Sequence, residues 1–203
     1  INYFLEQFKG TLFRQTMFAE FEKKTHELVE AGETLNVDML NELYRGLNEQ
    51  YFGPDMILDD EINLEWARIP HFYTPFYVYQ YATGFSAAIA LSKRIRELGA
   101  EGVADYMKFL TGGGSNYPID LLKLAGVDMT SPQPVKDAIK VFEDAVSVKD
   151  PTVVNEKSFQ NSMKNIVMDP KNYEVLTKID IPTDMIIGLQ DQFIASYNLP
   201  KLK

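Results

Sequence analysis

Apolar side chains recur at helical spacing through most of the chain. Phe4, Phe8 and Leu12 lie on one stripe, which predicts a long helix over residues 3–31. Aromatic residues surround the first half of that helix, so we expect burial on several sides. A second amphipathic helix is predicted over residues 36–51, and a Phe-Gly-Pro sequence follows it as a stop.

A third predicted helix is rich in small residues. Thr74 followed by Pro75 is typical of an N-cap and a first helical position, and the pattern continues to Leu98. The small residues are Gly84, Ser86, Ala87, Ala88 and Ala90. Because small side chains let another backbone approach closely, we expect this helix to be central.

Shorter helices are predicted over residues 102–110, 118–125 and 133–146. The fold class is therefore mainly α, a multi-helix bundle with a short α/β-type C-terminal appendage. The expected domains are residues 1–148 and the appendage 149–203. Within the appendage a Met-Ile-Ile run before a glycine predicts one short strand, which needs a pairing partner to be stable.

Composition removes several classes of function. The formal net charge of −9 disfavours a nucleic-acid partner, and no apolar run approaches the roughly 20 residues of a membrane helix. Cysteine is absent, which excludes disulfides and thiolate metal sites and agrees with a cytoplasmic protein. The chain opens at Ile1 without a start methionine, and we expect it to derive from a longer protein. No pattern specifies an oligomeric state.

The densest chemistry lies just before and within the start of the third helix. His71 is followed by Tyr73, Tyr77, Tyr79 and Tyr81. Neutral imidazole and phenol groups are good donors to a developing oxyanion. Tyr77 and Tyr81, four residues apart, share a helix face. The alternative is an aromatic core whose hydroxyls reach water.

Residues 71–84, which read HFYTPFYVYQYATG, resemble a segment of oligoendopeptidase F, a zinc oligopeptidase. Residues 13–22, 112–118 and 124–129 also match that family, in order, and the resemblance covers about residues 1–146. It implies a helical bundle that forms one wall of a deep channel for short peptides. It also implies a reaction in which zinc-bound water attacks the peptide carbonyl.

The same resemblance implies roles for individual residues. His71 and Tyr79 would stabilise the oxyanion, and Tyr73 and Tyr77 would contact the substrate. Gly113 and Gly114 would belong to a flexible loop beside the cleft, with a plain interhelical linker as the alternative. This glycine run is not a phosphate loop, because no Gly-Lys-Ser/Thr follows it.

The zinc of the resembled family is held by a His-Glu-x-x-His helix and a downstream glutamate. The chain contains only two histidines, His26 and His71, and residues 26–30 read HELVE, with glutamate where the second histidine is needed. We therefore expect no metal site and no cofactor in this chain, and no peptidase activity from it alone. The ligands would lie elsewhere in the full-length protein.

Residues 158–203 resemble a different family, the α/β-hydrolases, over a segment that delivers a triad acid. Asp191 matches that acid by position, but the serine and histidine that it needs do not accompany it. A surface-loop aspartate is the better interpretation. Two alternatives to the peptidase hypothesis therefore stay open: a non-enzymatic peptide-binding or scaffold domain, and a hydrolase fragment.

Overall fold

The computed structural model describes residues 2–147, and these residues are mainly α-helical and contain no β-strand. The α-helices are α1 (Asn2–Gln7), α2 (Arg14–Glu30), α3 (Val37–Phe52), α4 (Tyr79–Leu98), α5 (Ala100–Gly112), α6 (Pro118–Leu124) and α7 (Gln133–Val146). A π-helical segment, Phe8–Phe13, joins α1 to α2, and two 3-10 segments, Asp60–Arg68 and Pro70–Tyr73, lie between α3 and α4. The predicted helical fold class is confirmed.

The described residues divide into two compact units. Residues 2–82 and 139–147 belong to the first unit, and residues 83–138 belong to the second. The division expected at residue 148 stays a prediction. The α/β appendage, its strand and Asp191 lie outside the described residues.

The predicted helix over residues 3–31 is continuous from α1 to α2, with the π-helical segment in its middle. Phe8 and Phe13 are both buried, and their rings lie 5.4 Å and 5.1 Å from the ring of Phe142 in α7. An α-helix would not align two side chains five residues apart, whereas the i→i+5 bonding of a π-helix does. The π-helical turn therefore lets both rings pack on one partner.

One buried core of the first unit lies between α2 and α3. Met17, Phe18 and Phe21 of α2 and Tyr44, Leu47 and Tyr51 of α3 form a buried cluster together with Ile69 and Val78. The helix α3 begins where Asn36, in an extended conformation, accepts a hydrogen bond from the Met39 N–H at 3.0 Å. It ends at Gly53, whose φ of +75° suits glycine.

One helix boundary was predicted wrongly. Thr74 is not the N-cap of α4, because it follows the 3-10 segment Pro70–Tyr73 and α4 begins only at Tyr79. The intervening loop includes Phe76, whose φ is +57°. Helical continuation from Thr74 is interrupted there, since a left-handed residue cannot propagate a right-handed helix.

The second unit is organised around the part of α4 that starts at Thr83. Ala87, Ala90 and Leu91 of α4 pack against a buried cluster that includes Leu122, Ala125, Val127 and Met129. A Cβ added to Gly102 of α5 would lie 2.6 Å from the Arg94 carbonyl oxygen. Glycine at position 102 is therefore what allows α5 to approach α4 this closely.

We expect Phe142→Ala to lower the free energy of unfolding by about 3–5 kcal/mol, because it removes a fully buried ring that two others contact. Urea unfolding followed by far-UV circular dichroism measures the loss. The control is Tyr3→Ala, which removes an aromatic ring that is 80% exposed and should change stability by about 0.5 kcal/mol or less. Equal effects of the two substitutions would contradict the packing described for Phe142.

Candidate functional site

The segment of residues 70–77, which carries His71, Tyr73 and Tyr77, is anchored at both ends in the core of the first unit. Ile69 precedes it and is 6% exposed, and Val78 follows the loop and is fully buried. Pro70 begins the 3-10 turn on which His71 lies, and proline suits this first position because its N–H is not needed. Two buried aliphatic residues thus hold a segment whose side chains in between are largely accessible.

His71, Tyr77 and Tyr81 form one hydrogen-bonded group, here called the His–Tyr cluster. The Tyr81 hydroxyl oxygen lies 3.2 Å from His71 Nε2 and 3.2 Å from the Tyr77 hydroxyl oxygen. The rings of His71 and Tyr77 are nearly parallel, at 10° and 5.7 Å, and the Tyr81 ring stands edge-on to both. The Tyr81 hydroxyl is therefore the centre of the cluster.

The cluster keeps the phenol group of Tyr81 in the donor form. Burial raises the pKa of Tyr81 to about 12, and the Tyr77 hydroxyl next to it acts in the same direction. The hydroxyl of Tyr81 therefore stays protonated at neutral pH. His71 Nδ1 is buried and makes no hydrogen bond to any of residues 2–147.

Tyr81 is the cluster member to which sequence reasoning assigned no role. The signal for it was the four-residue spacing from Tyr77, which predicted a shared helix face. Tyr77 in fact lies in the loop before α4, and its hydroxyl reaches Tyr81 from there. Tyr79, the predicted partner of His71, is 7% exposed at the first position of α4, and burial raises its pKa to about 12. His71 bonds to the hydroxyl of Tyr81 rather than that of Tyr79. The oxyanion role of Tyr79 stays a prediction.

The other predicted substrate contacts lie on exposed backbone. Tyr73 is 82% exposed at the end of the second 3-10 segment. Gly113 and Gly114 belong to the second unit, after the end of α5, and Gly113 has a φ of +51°. The Ser115 N–H donates to the Gly112 carbonyl across this turn at 3.0 Å. Their roles at a peptide cleft stay predictions.

Two residues of α2 hold the loop between His71 and Tyr77. Glu22 Oε1 accepts a hydrogen bond from the Phe76 N–H at 2.7 Å, and the His26 ring lies 4.6 Å from the Phe76 ring. The left-handed conformation of a bulky residue such as Phe76 is unfavourable without such support. Burial raises the pKa of Glu22, although the Phe76 N–H and His26 oppose that effect.

A second buried carboxylate holds the segment that precedes His71. Glu65, 5% exposed, lies in the first 3-10 segment, and its Oε1 accepts hydrogen bonds from Arg14 and Arg68, each at 2.5 Å. Its Oε2 accepts one from the Tyr44 hydroxyl at 2.6 Å. The pKa of the Tyr44 hydroxyl is raised, mainly by burial and secondly by this hydrogen bond to Glu65. Glu65 thereby joins α2, α3 and the 3-10 segment.

The described residues do not fit a zinc ion. Residues 2–147 contain no group of three or more His, Cys, Asp or Glu side chains that could hold a metal. His26 Nδ1 lies 3.1 Å from the backbone carbonyl of Glu22, and His71 Nε2 is engaged by Tyr81. The same residues include no helix that is long and apolar enough to cross a membrane.

Comparisons with known proteins agree with the resemblance found in the sequence. The family model described as "Peptidase family M3" matches residues 2–141. Oligopeptidase PepF of Bacillus subtilis is 56% identical over 144 residues, which are 71% of this chain and 22% of that protein. The chromosomal oligoendopeptidase F of Lactococcus lactis subsp. cremoris is 46% identical over 143 residues, 70% of this chain and 24% of that protein.

A solved structure supports the same relationship. The crystal structure of oligoendopeptidase-F from Enterococcus faecium superposes with a TM-score of 0.69 at 42% identity, covering 82% of this chain and 29% of that one. As the coverage of the Bacillus and Lactococcus proteins shows, the chain spans about a quarter of the length of the curated relatives that it matches. The predicted family resemblance is confirmed for the helical part.

We expect Glu65→Ala to lower the free energy of unfolding by about 3–5 kcal/mol, because it leaves Arg14 and the Tyr44 hydroxyl without their buried acceptor. Urea unfolding measures this loss. The matched control is Glu49→Ala, which breaks an exposed pair with Arg45 on α3 and should cost about 1 kcal/mol or less. Losses of similar size in both variants would show that Glu65 does not organise this region.

We expect Glu22→Gln to be more stable than the unchanged chain at pH 8, because the amide can accept the Phe76 bond without burying a charge. A carboxyl whose pKa is raised by folding makes the folded state bind its proton more tightly, so the unchanged chain gains stability as pH falls. The advantage of the glutamine variant should therefore shrink towards pH 4.5, the ordinary pKa of this group.

Urea unfolding at pH 8 and at pH 4.5 tests this expectation for Glu22. Glu27→Gln serves as the control, since it removes an exposed carboxyl from the same helix. If the difference in unfolding free energy between Glu22→Gln and the unchanged chain is the same at both pH values, the role of burial is contradicted.

Proposed function

Because the chain belongs to peptidase family M3, we propose that residues 2–147 form one wall of the peptide channel of an oligopeptidase. The observation that carries the proposal is the His–Tyr cluster, in which an imidazole and two phenol hydroxyls meet at 3.2 Å. Such neutral donors stabilise negative charge on a carbonyl oxygen. The likeness to proteins named oligopeptidase and oligoendopeptidase F supports short peptides as the substrate class.

The polarity of the hydrogen bond between His71 and Tyr81 follows from the buried Nδ1 of His71. A buried N–H without an acceptor is more costly than a buried lone pair, so the imidazole proton belongs on Nε2. With no substrate bound, His71 Nε2–H donates to the Tyr81 oxygen, and His71 acts on an oxyanion by exchanging this bond for one to the substrate oxygen.

The roles assigned by resemblance are retained as part of this proposal. The oxyanion donors are His71 and Tyr79, and the substrate contacts are Tyr73, Tyr77, Gly113 and Gly114. The pKa of Tyr79, about 12, keeps its phenol in the donor form at neutral pH. Tyr81 is added as the residue that orients His71 and Tyr77.

Peptidases of family M3 are zinc metallopeptidases, whereas residues 2–147 do not provide a zinc site. We propose that the metal ligands of the complete peptidase lie outside these residues, and that this chain alone does not hydrolyse peptides. The absence of cysteine supports a cytoplasmic location.

The proposal is tested with a chimera in which residues 2–141 replace the matching part of the Bacillus subtilis relative. We expect the zinc-loaded chimera to cleave a fluorogenic peptide, and His71→Ala to lower kcat by about 10²–10³-fold, the effect of removing one oxyanion donor. The chain alone, assayed with added zinc, should show no turnover that a chelator abolishes.

The control in the same chimera is Tyr3→Phe, which changes a side chain that is 80% exposed and should leave kcat unchanged. Chelator-sensitive turnover by the isolated chain would overturn its proposed inactivity. A folded chimera in which His71→Ala keeps full kcat would overturn the role of the cluster.

A further inference from the structure

A cavity of about 370 Å³ lies within the first unit, between α2, α3 and the two 3-10 segments. Its walls are mostly aromatic and aliphatic and include Phe21, Leu40, Trp66, Ile69 and Phe72. The volume falls within the range of about 300–1,000 Å³ that is common for small-molecule sites. The cavity is therefore large enough to admit a ligand side chain.

One acidic side chain, Glu22, lines this apolar cavity. It is 6% exposed, and its Oε1 accepts the Phe76 N–H at 2.7 Å. None of the residues that the structure describes donates a hydrogen bond to Oε2 or forms an ion pair with Glu22. A carboxylate can accept about four hydrogen bonds, so Glu22 accepts fewer than a buried carboxylate normally needs.

The other titratable residues that line the cavity are His26 and Tyr73. His26 directs Nδ1 to the backbone carbonyl of Glu22 at 3.1 Å, so that nitrogen does not supply a donor to the carboxylate. The cavity thus combines aromatic faces with a carboxylate and contains no lysine or arginine in its lining. Aromatic faces and a carboxylate both favour a cation.

We propose that this cavity binds a primary ammonium group on an apolar stem, with the ammonium at Glu22 and the stem against Trp66 and Phe21. The inference rests on the proposed function in one respect, which is that a peptide carries the ammonium. The ammonium group belongs either to a lysine side chain or to the amino terminus of the peptide, and the experiment separates the two.

The position of the cavity suits a specificity pocket of the proposed peptide channel. Phe72 and Tyr73, which line it, directly follow His71 on the same 3-10 turn. Glu22 also bonds to Phe76, one residue before Tyr77. A side chain bound in the cavity would lie beside the segment that carries the His–Tyr cluster.

The experiment uses Trp66, the single tryptophan of the chain, as the reporter of binding. Three tripeptide amides are titrated at neutral pH while its emission is followed: acetyl-Ala-Lys-Ala, acetyl-Ala-norleucine-Ala, and Ala-norleucine-Ala with a free amino terminus. Norleucine matches the stem of lysine without its charge. We expect at least one ammonium-bearing peptide to bind about tenfold more tightly than the acetylated norleucine peptide.

The matched variants are Glu22→Gln, which keeps a carbonyl oxygen for the Phe76 N–H, and Glu27→Gln, which removes an exposed carboxyl from the same helix. Glu22→Gln should abolish the tenfold preference and leave binding of the acetylated norleucine peptide unchanged. Glu27→Gln should keep the preference. Preference for acetyl-Ala-Lys-Ala identifies the side chain as the ligand, and preference for the free amino terminus identifies the terminus.

Equal affinities for all three peptides, no saturable change in Trp66 emission, or a preference that survives Glu22→Gln would overturn the proposal. A preference lost equally in Glu27→Gln would also overturn it, since a distant charge would then explain the effect. The binding assay can fail while the proposed function holds, because the proposed function is tested separately, by peptide turnover in the chimera and its His71→Ala variant.

Discussion

A buried carboxylate that receives three donors holds the candidate site in place. Glu65 is the point at which Arg14 of α2, Tyr44 of α3 and Arg68 meet, and it lies six residues before His71. An ionised group in an apolar core is tolerated only when its oxygens are satisfied, and here each oxygen accepts at least one short bond. Glu65 lies in the first 3-10 segment, which leads through Ile69 into the turn that presents His71, so this attachment helps to fix where that turn begins.

The two buried carboxylates of the first unit differ in how well they are satisfied. Glu65 has charged and neutral donors on both oxygens, which is the arrangement of a structural residue. Glu22 has one backbone donor, and burial raises its pKa. The bond that it makes supports Phe76 in a left-handed conformation, so Glu22 both shapes the loop of the His–Tyr cluster and faces the cavity. Loop shape and ligand recognition are thereby linked through one side chain.

Several features could be read from the sequence because they depend on neighbouring residues. The helix α3 follows from its apolar spacing, the Asn36 cap and Gly53, all of which act within the first or last turn. The four-residue spacing of Tyr77 and Tyr81 pointed to a contact between them, but on a shared helix face, whereas Tyr77 precedes α4 and reaches Tyr81 from the loop. The start of α4 was wrong, because Thr74-Pro75 carries a valid local signal that a distant contact, from Glu22 to Phe76, overrides.

The sequence by itself determined the helical class, the family and the segment in which the candidate chemistry lies, because periodicity, capping and motif are properties of short stretches of chain. The tertiary structure decided which tyrosine reaches His71, where the π-helical turn falls and which carboxylate faces the cavity. Those outcomes depend on contacts between residues far apart in sequence, such as Phe8 with Phe142 and Glu22 with Phe76. Such contacts are set by the packing of whole helices, and no local pattern encodes them.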